Sequence, residues 1–130
     1  MYNNLRNLRL FVPALILVAA LLTAESASAQ DAPPAAPTNL SAQLWSFYGV
    51  PGVTLTWTDN SSNEAGFVLE HWLFTKVKWV LQSSNTLTPD TDTWGGVGRV
   101  RTGKNRYRVK AFNAYGDSAW SNWADIFLHK

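Results

Sequence analysis

The sequence predicts an all-β protein, a sandwich of about seven short antiparallel strands. Three observations carry that reading. Val53, Leu55 and Trp57 alternate with Thr54, Thr56 and Thr58, which gives a period of two with one apolar and one hydroxyl face. Runs of turn-forming residues separate such segments; the sharpest is the stretch of eight small or polar residues from Thr58 to Ala65. After residue 30 no segment sustains the 3.6-residue period of a helix.

The first 29 residues read as a signal peptide. Arg6 and Arg9 are followed by an almost wholly apolar run of 13 residues, Leu10 to Leu22, and Ala27-Ser28-Ala29 supplies small residues at the cleavage spacing. That run is too short to span a bilayer core of roughly 30 Å. The expected product starts at Gln30, is secreted, periplasmic or held at the cell surface, and has no stable membrane insertion. Residues 30–37, with Pro33, Pro34 and Pro37, read as an extended Pro/Ala-rich linker. Residues 38–127 are left as one domain.

Within that domain each strand has its own pattern. Residues 38–45 place Leu40, Ala42 and Leu44 on one side, and the stretch 48–52, YGVPG, breaks the strand. Residues 53–58 form the cleanest alternation. Residues 67–74 set Phe67, Leu69 and His71 opposite Val68, Glu70 and Trp72. Residues 78–83 read as another strand. Residues 84–98 are rich in Ser, Thr, Asp and Gly and hold at best one poor strand near Thr91–Trp94. Residues 106–113 alternate Tyr107, Val109 and Ala111 with Arg106, Arg108 and Lys110, Gly116 marks a turn, and residues 119–127 form the last strand. The expected core is Leu40, Val53, Leu55, Trp57, Phe67, Leu69, Tyr107, Val109 and Trp120.

Composition limits the function classes. The chain has no cysteine, so an exported domain of this kind must rely on its apolar core rather than on disulfides. Seven Trp, six Phe and four Tyr supply that core. Removing residues 1–29 leaves nine Lys and Arg against eight Asp and Glu. A net charge so near zero points to no nucleic acid partner.

The stretches VTLTWTDNSSNEAGFVLE (53–70) and YRVKAFNAYGDSAWSN (107–122) resemble a fibronectin type III domain of the kind found in exported bacterial proteins. Pro37 and Leu40 match the family's first strand, and Trp57 matches the tryptophan that packs between its two sheets. The resemblance implies an immunoglobulin-like fold of seven antiparallel strands. It places the family's tyrosine corner on Asn105, and with the poor strand DTDTWGG (90–96) this implies a loose end of the sandwich there. Residues 120–124, WSNWA, partially resemble the Trp-Ser-x-Trp-Ser box of cytokine-receptor domains. In that box tryptophans stack with arginines of the preceding strand. Here Trp120 or Trp123 is expected against Arg106 or Arg108, with Trp120 turned into the core and Trp123 exposed.

No catalytic, metal or cofactor site is expected. His71 and His129 are the only histidines and form no triad or zinc cluster. The stretches 95–98 and 101–104 lack the strand–loop–helix setting of a phosphate loop. Tyr115-Gly116-Asp117 lacks the arginine of an integrin-binding loop. Six cations lie within residues 99–110, on what reads as a solvated strand face. The leading expectation is a non-catalytic interaction or spacer module with an unknown protein partner. The alternative is a carbohydrate- or polyanion-binding module. Either would use Trp72, Trp79, Trp123, Arg106, Arg108 and Lys110 as its surface.

Overall fold

The computed structural model describes residues 31–130, so the signal-peptide reading of 1–29 lies outside the described residues. Eight strand segments follow in order: β1 Thr38–Phe47, β2 Val50–Thr58, β3 Gly66–Phe74, β4 Trp79–Leu87, β5 Thr93–Val97, β6 Gly103–Asn113, β7 Gly116–Asp117 and β8 Ala124–Leu128. They make two antiparallel sheets. One runs β1-β2-β5; the other runs β4-β3-β6, with β7 and β8 both paired to the far side of β6. The two short pieces are halves of one final strand, so the segments amount to seven strands.

The period-two faces meet between the sheets. Val53, Leu55 and Trp57 come from β2, Phe67 and Leu69 from β3, and Tyr107, Val109 and Ala111 from β6; all are buried. Leu40, Val100 and Ala124 complete the cluster. Trp57 meets Phe67 edge-on at 5.8 Å, a contact that joins the two sheets. The polar stretch after Trp57 carries the chain from one sheet to the other. Asp59 Oδ1 accepts the Ser61 amide at 3.0 Å, an Asx turn, and the Ser61 hydroxyl lies 2.8 Å from Glu64 Oε2. Burial works against the Glu64 carboxylate, yet the Ser61 hydroxyl and the Asp90 amide hold its pKa below the ordinary value.

Three expectations require correction. Residues 33–37 carry no regular structure, and the segment 31–37 is not a free linker. Pro34 and Pro37 are buried, and the Ala32 carbonyl accepts from both Asn63 Nδ2 (3.0 Å) and Asn113 Nδ2 (2.9 Å). The segment is a strap across the end of the sandwich. The stretch 48–52 breaks only at Tyr48-Gly49, a two-residue turn in which both residues have positive φ (48° and 80°), as a primed hairpin turn requires. Pro51 and Gly52 already belong to β2. Gly52 is needed there because the Trp45 indole lies across it: a Cβ at that position would sit 2.7 Å from the ring.

The third correction is Trp120. It is half-buried on the outer face and is not a core residue. The strand predicted over 119–127 is regular only from Ala124. Six residues, 118–123, lie opposite four, 108–111, on β6. Their contacts repeat every three residues, as in a polyproline II helix. Ser118 and Ser121 face β6, while Trp120 and Trp123 both turn outward. The inward place next to Tyr107 is taken by Ala124.

Candidate functional site

The outer face of the larger sheet is an interleaved stack of rings and cations. Tyr107, Val109 and Ala111 point inward, so Arg106, Arg108 and Lys110 must point out. Trp120 and Trp123 enter between them. From one end the order is Lys110, Trp120, Arg108, Trp123, Arg106, Trp79. The successive cation-to-ring distances are 4.9, 4.0, 4.7, 4.8 and 3.9 Å. Trp72 closes on the stack from the side, 5.8 Å from Arg108 and edge-on to Trp123 at 6.5 Å. The cation-to-ring distances all lie within cation–π range.

Two further sets of bonds fix the stack. Ser118 and Ser121 each donate their amide to β6, at the Ala111 and Val109 carbonyls (2.9 and 2.8 Å). Their hydroxyls accept the amides of the same two residues (2.9 and 3.1 Å). The irregular segment thereby satisfies the β6 main chain without a regular ladder. Each cation also has a carboxylate. Asp125 takes Arg106 through two bonds of 3.1 Å, Glu70 takes Arg108 at 2.7 Å, and Asp117 takes Lys110. Glu70 also accepts the Trp72 indole N–H at 2.9 Å. The sequence-predicted surface residues Trp72, Trp79, Trp123, Arg106, Arg108 and Lys110 are therefore brought together. The charges of Arg106, Arg108 and Lys110 are met within the protein, and this part of the cationic run is locally neutral.

The end near Asn105 is firmly tied, which corrects the expectation of a loose corner. The corner tyrosine is Tyr107: its hydroxyl donates to the Arg99 carbonyl at 2.9 Å, on the connection that leads into β6. Burial raises the Tyr107 pKa well above the ordinary phenol value. Asn105 is fully buried beside it. Its Nδ2 donates to the Arg101 and Gly103 carbonyls (2.6 and 2.9 Å), which fixes the amide orientation. Its Oδ1 accepts the Arg101 amide (3.0 Å) and His71 Nε2 (2.8 Å), so Nε2 of His71 carries the proton. His71 stacks on Tyr107 at 4.6 Å. Its pKa is lowered, first by burial and then by the charge of Arg101, against a raising effect of the Asn105 bond. Among the described residues no group of three or more His, Cys, Asp or Glu is placed to hold a metal ion.

A second surface escaped the sequence reading. β1, β2 and β5 contain no charged residue. At the hairpin end of that sheet Trp45, Phe47, Val50 and Val97 are exposed side by side, and Tyr48 at the tip is 91% exposed. A signal was present in the sequence. Phe47 and Tyr48 are adjacent aromatics before a glycine, and Trp45 and Phe47 alternate with the core positions Leu40, Ala42 and Leu44.

No family model matches the sequence, and no curated protein does. Solved structures do match. A Fn3-like protein from Clostridium thermocellum superposes with a TM-score of 0.51 at 20% identity, over 75% of this chain and 94% of that one. The FN1-FN3 domains of chicken CNTN1 give 0.56 at 24% identity, over 76% of this chain and 34% of theirs. The third fibronectin III domain of human KIAA0343 protein gives 0.57 at 13% identity, over 79% of this chain and 88% of that one. The fold is fibronectin type III-like. In such a fold the hairpin end and the stacked face belong to different sheets, so one can be altered without touching the other. Among the described residues no helix is long and apolar enough to cross a membrane.

Proposed function

We propose that this chain is a non-catalytic, exported interaction module that acts through protein–protein contacts, and that its contact surface is the hairpin end of β1 and β2. The observation that supports this most is the exposed group Trp45, Phe47, Tyr48, Val50 and Val97 on a sheet without charge. Contiguous apolar surface rimmed by polar residues is what partner proteins cover, and aromatic anchors carry most of the energy of such contacts. Here the rim is Ser41, Gln43, Thr54 and Thr56. The export part of the reading rests on the pattern of residues 1–29, and a mature mass beginning at Gln30 is its expected signature.

The carbohydrate or polyanion reading draws on the open depression lined by Trp72, Trp79, Arg106, Arg108 and Trp123. Its rings are already stacked on guanidinium groups and its cations are paired with carboxylates. The stacked face is better explained as a clamp that holds the last strand on β6.

Site-specific photo-crosslinking separates the surfaces. A photoreactive residue in place of Tyr48 should yield an adduct in the native exported fraction, and one in place of Trp123 should not. Adducts at position 123 alone would refute the assignment of the contact surface.

A further inference from the structure

We propose that the open edge of β5 receives an extended segment of a partner protein as an added strand, with a carboxylate side chain of that segment held by Arg99 and Arg101. The inference rests on the protein-contact reading and names the form of the partner.

Among the described residues β5 is bonded on one side only, to β2. The Trp57 amide donates to the Asp92 carbonyl at 3.0 Å and the Gly98 amide to the Pro51 carbonyl at 2.9 Å, which brackets the strand. Antiparallel main chains alternate, so Trp94 and Gly96 face β2 while Thr93, Gly95 and Val97 turn their N–H and C=O groups to the open side. The other edges are guarded. The Asn122 side-chain amide bonds both the N–H and the C=O of Leu40 on β1 (2.9 and 2.8 Å). β4 carries a bulge at Gln82, where its register with β3 shifts. β7 and β8 bear Asp117 and Asp125. β5 has none of these devices: its register with β2 is unbroken, and it contains no charge and no proline.

The edge is also flanked by two depressions, one on each face. The outer one is lined by Trp45, Thr54, Thr93 and Gly95. The inner one, at the mouth between the sheets, is lined by His71, Ser83, Trp94, Arg99 and Arg101. Side chains of an added strand would alternate between the two. The outer depression suits an apolar or hydroxyl side chain. The inner one has two arginines and no carboxylate among its described lining residues, with the Arg99 guanidinium 5.4 Å from the Trp94 ring, and burial disfavours charge on its histidine. An acidic side chain is the complementary occupant.

A display library of random peptides, long enough to pair with the whole of β5, tests this against the purified protein. The peptides selected should alternate β-branched or aromatic residues with a position fixed as Asp or Glu. Their affinity, read by fluorescence anisotropy, should fall about tenfold for Arg101→Glu. Thr93→Pro, which removes one outward N–H at the tolerated first position of the strand, should weaken binding similarly. Selection repeated on Arg101→Glu should return Lys or Arg at the fixed position. Thermal melts of both variants accompany the binding data. Enrichment of nothing, enrichment without an acidic position, or affinity indifferent to both folded variants would overturn strand addition. Adducts at position 48 together with any of those results would leave the protein-contact reading standing and remove this one.

Discussion

Tyr107 is the residue on which one end of the sandwich turns. Its hydroxyl satisfies the Arg99 carbonyl. Tyr107→Phe leaves that acceptor without its partner and is expected to cost about 1–3 kcal/mol. The check is a denaturant midpoint that falls while the slope of the transition is unchanged. His71 gives the same end a pH dependence. Its folded pKa lies below the ordinary histidine value, so the unfolded chain takes up a proton first as the pH drops. Its contribution to stability is complete above about pH 6.5 and is lost as the pH falls from there through the folded pKa. A melting temperature that declines across that window, and declines less in His71→Gln, is the expected outcome. Little of this was legible in sequence. The alternation puts Tyr107 and His71 on the core faces, but nothing local shows that Asn105 bonds to two carbonyls, an amide and the imidazole together. Counting back along the strand assigned the corner to Asn105, whereas the hydroxyl that reaches the loop is on Tyr107.

The final strand shows how an element can satisfy its neighbour without being regular. Spaced three apart, Trp120 and Trp123 would fall on opposite faces of a strand, and strand periodicity therefore sent Trp120 inward. The three-residue repeat of Ser118-Ala119-Trp120 and Ser121-Asn122-Trp123 puts both indoles on one side and both hydroxyls on the other. That repeat is visible in the sequence once a period of three is tested beside two and 3.6. The stack is unequal along its length. Arg108 lies over Trp120, Trp123 and Trp72 and is bonded to Glu70, with its side chain 24% exposed. Arg108→Ala is expected to destabilise the domain by about 1–3 kcal/mol. Among the described rings Lys110 meets only Trp120, and it pairs with a half-exposed carboxylate. Lys110→Ala should cost less than about 1 kcal/mol. A double-mutant cycle between Arg108 and Trp120, read by chemical denaturation, should return a coupling well above the Lys110–Trp120 cycle. Equal couplings would show that Arg108 is not the centre of the stack.

At the scale of the molecule, the proposed function divides the work between two sheets. The fold was legible because it rests on alternation: Val53, Leu55 and Trp57, then Phe67 and Leu69, then Tyr107 and Val109 are the buried positions that pattern predicts. Trp57→Ala removes the ring that meets Phe67 across the sheets and should cost about 3–5 kcal/mol, a large share of the roughly 5–15 kcal/mol that holds a domain together. The proposed contact surface was less legible. Exposed tryptophans and a basic strand point to the stacked face from sequence alone, and only pairing geometry shows those charges and rings meeting one another. The uncharged hairpin end becomes distinct once Trp45, Phe47 and Val50 are seen on one outer face. Under the proposed function stability and recognition lie on different sheets, and one comparison tests that separation. The double substitution Phe47→Ser with Tyr48→Ser and the single substitution Arg108→Ala are each measured for thermal stability and for crosslinked partner recovered from the native exported fraction. The hairpin variant should melt with the parent and lose the partner, while Arg108→Ala should melt lower and keep it. Loss of the partner on Arg108→Ala at a temperature where that variant is folded, with full recovery by the hairpin variant, would contradict it.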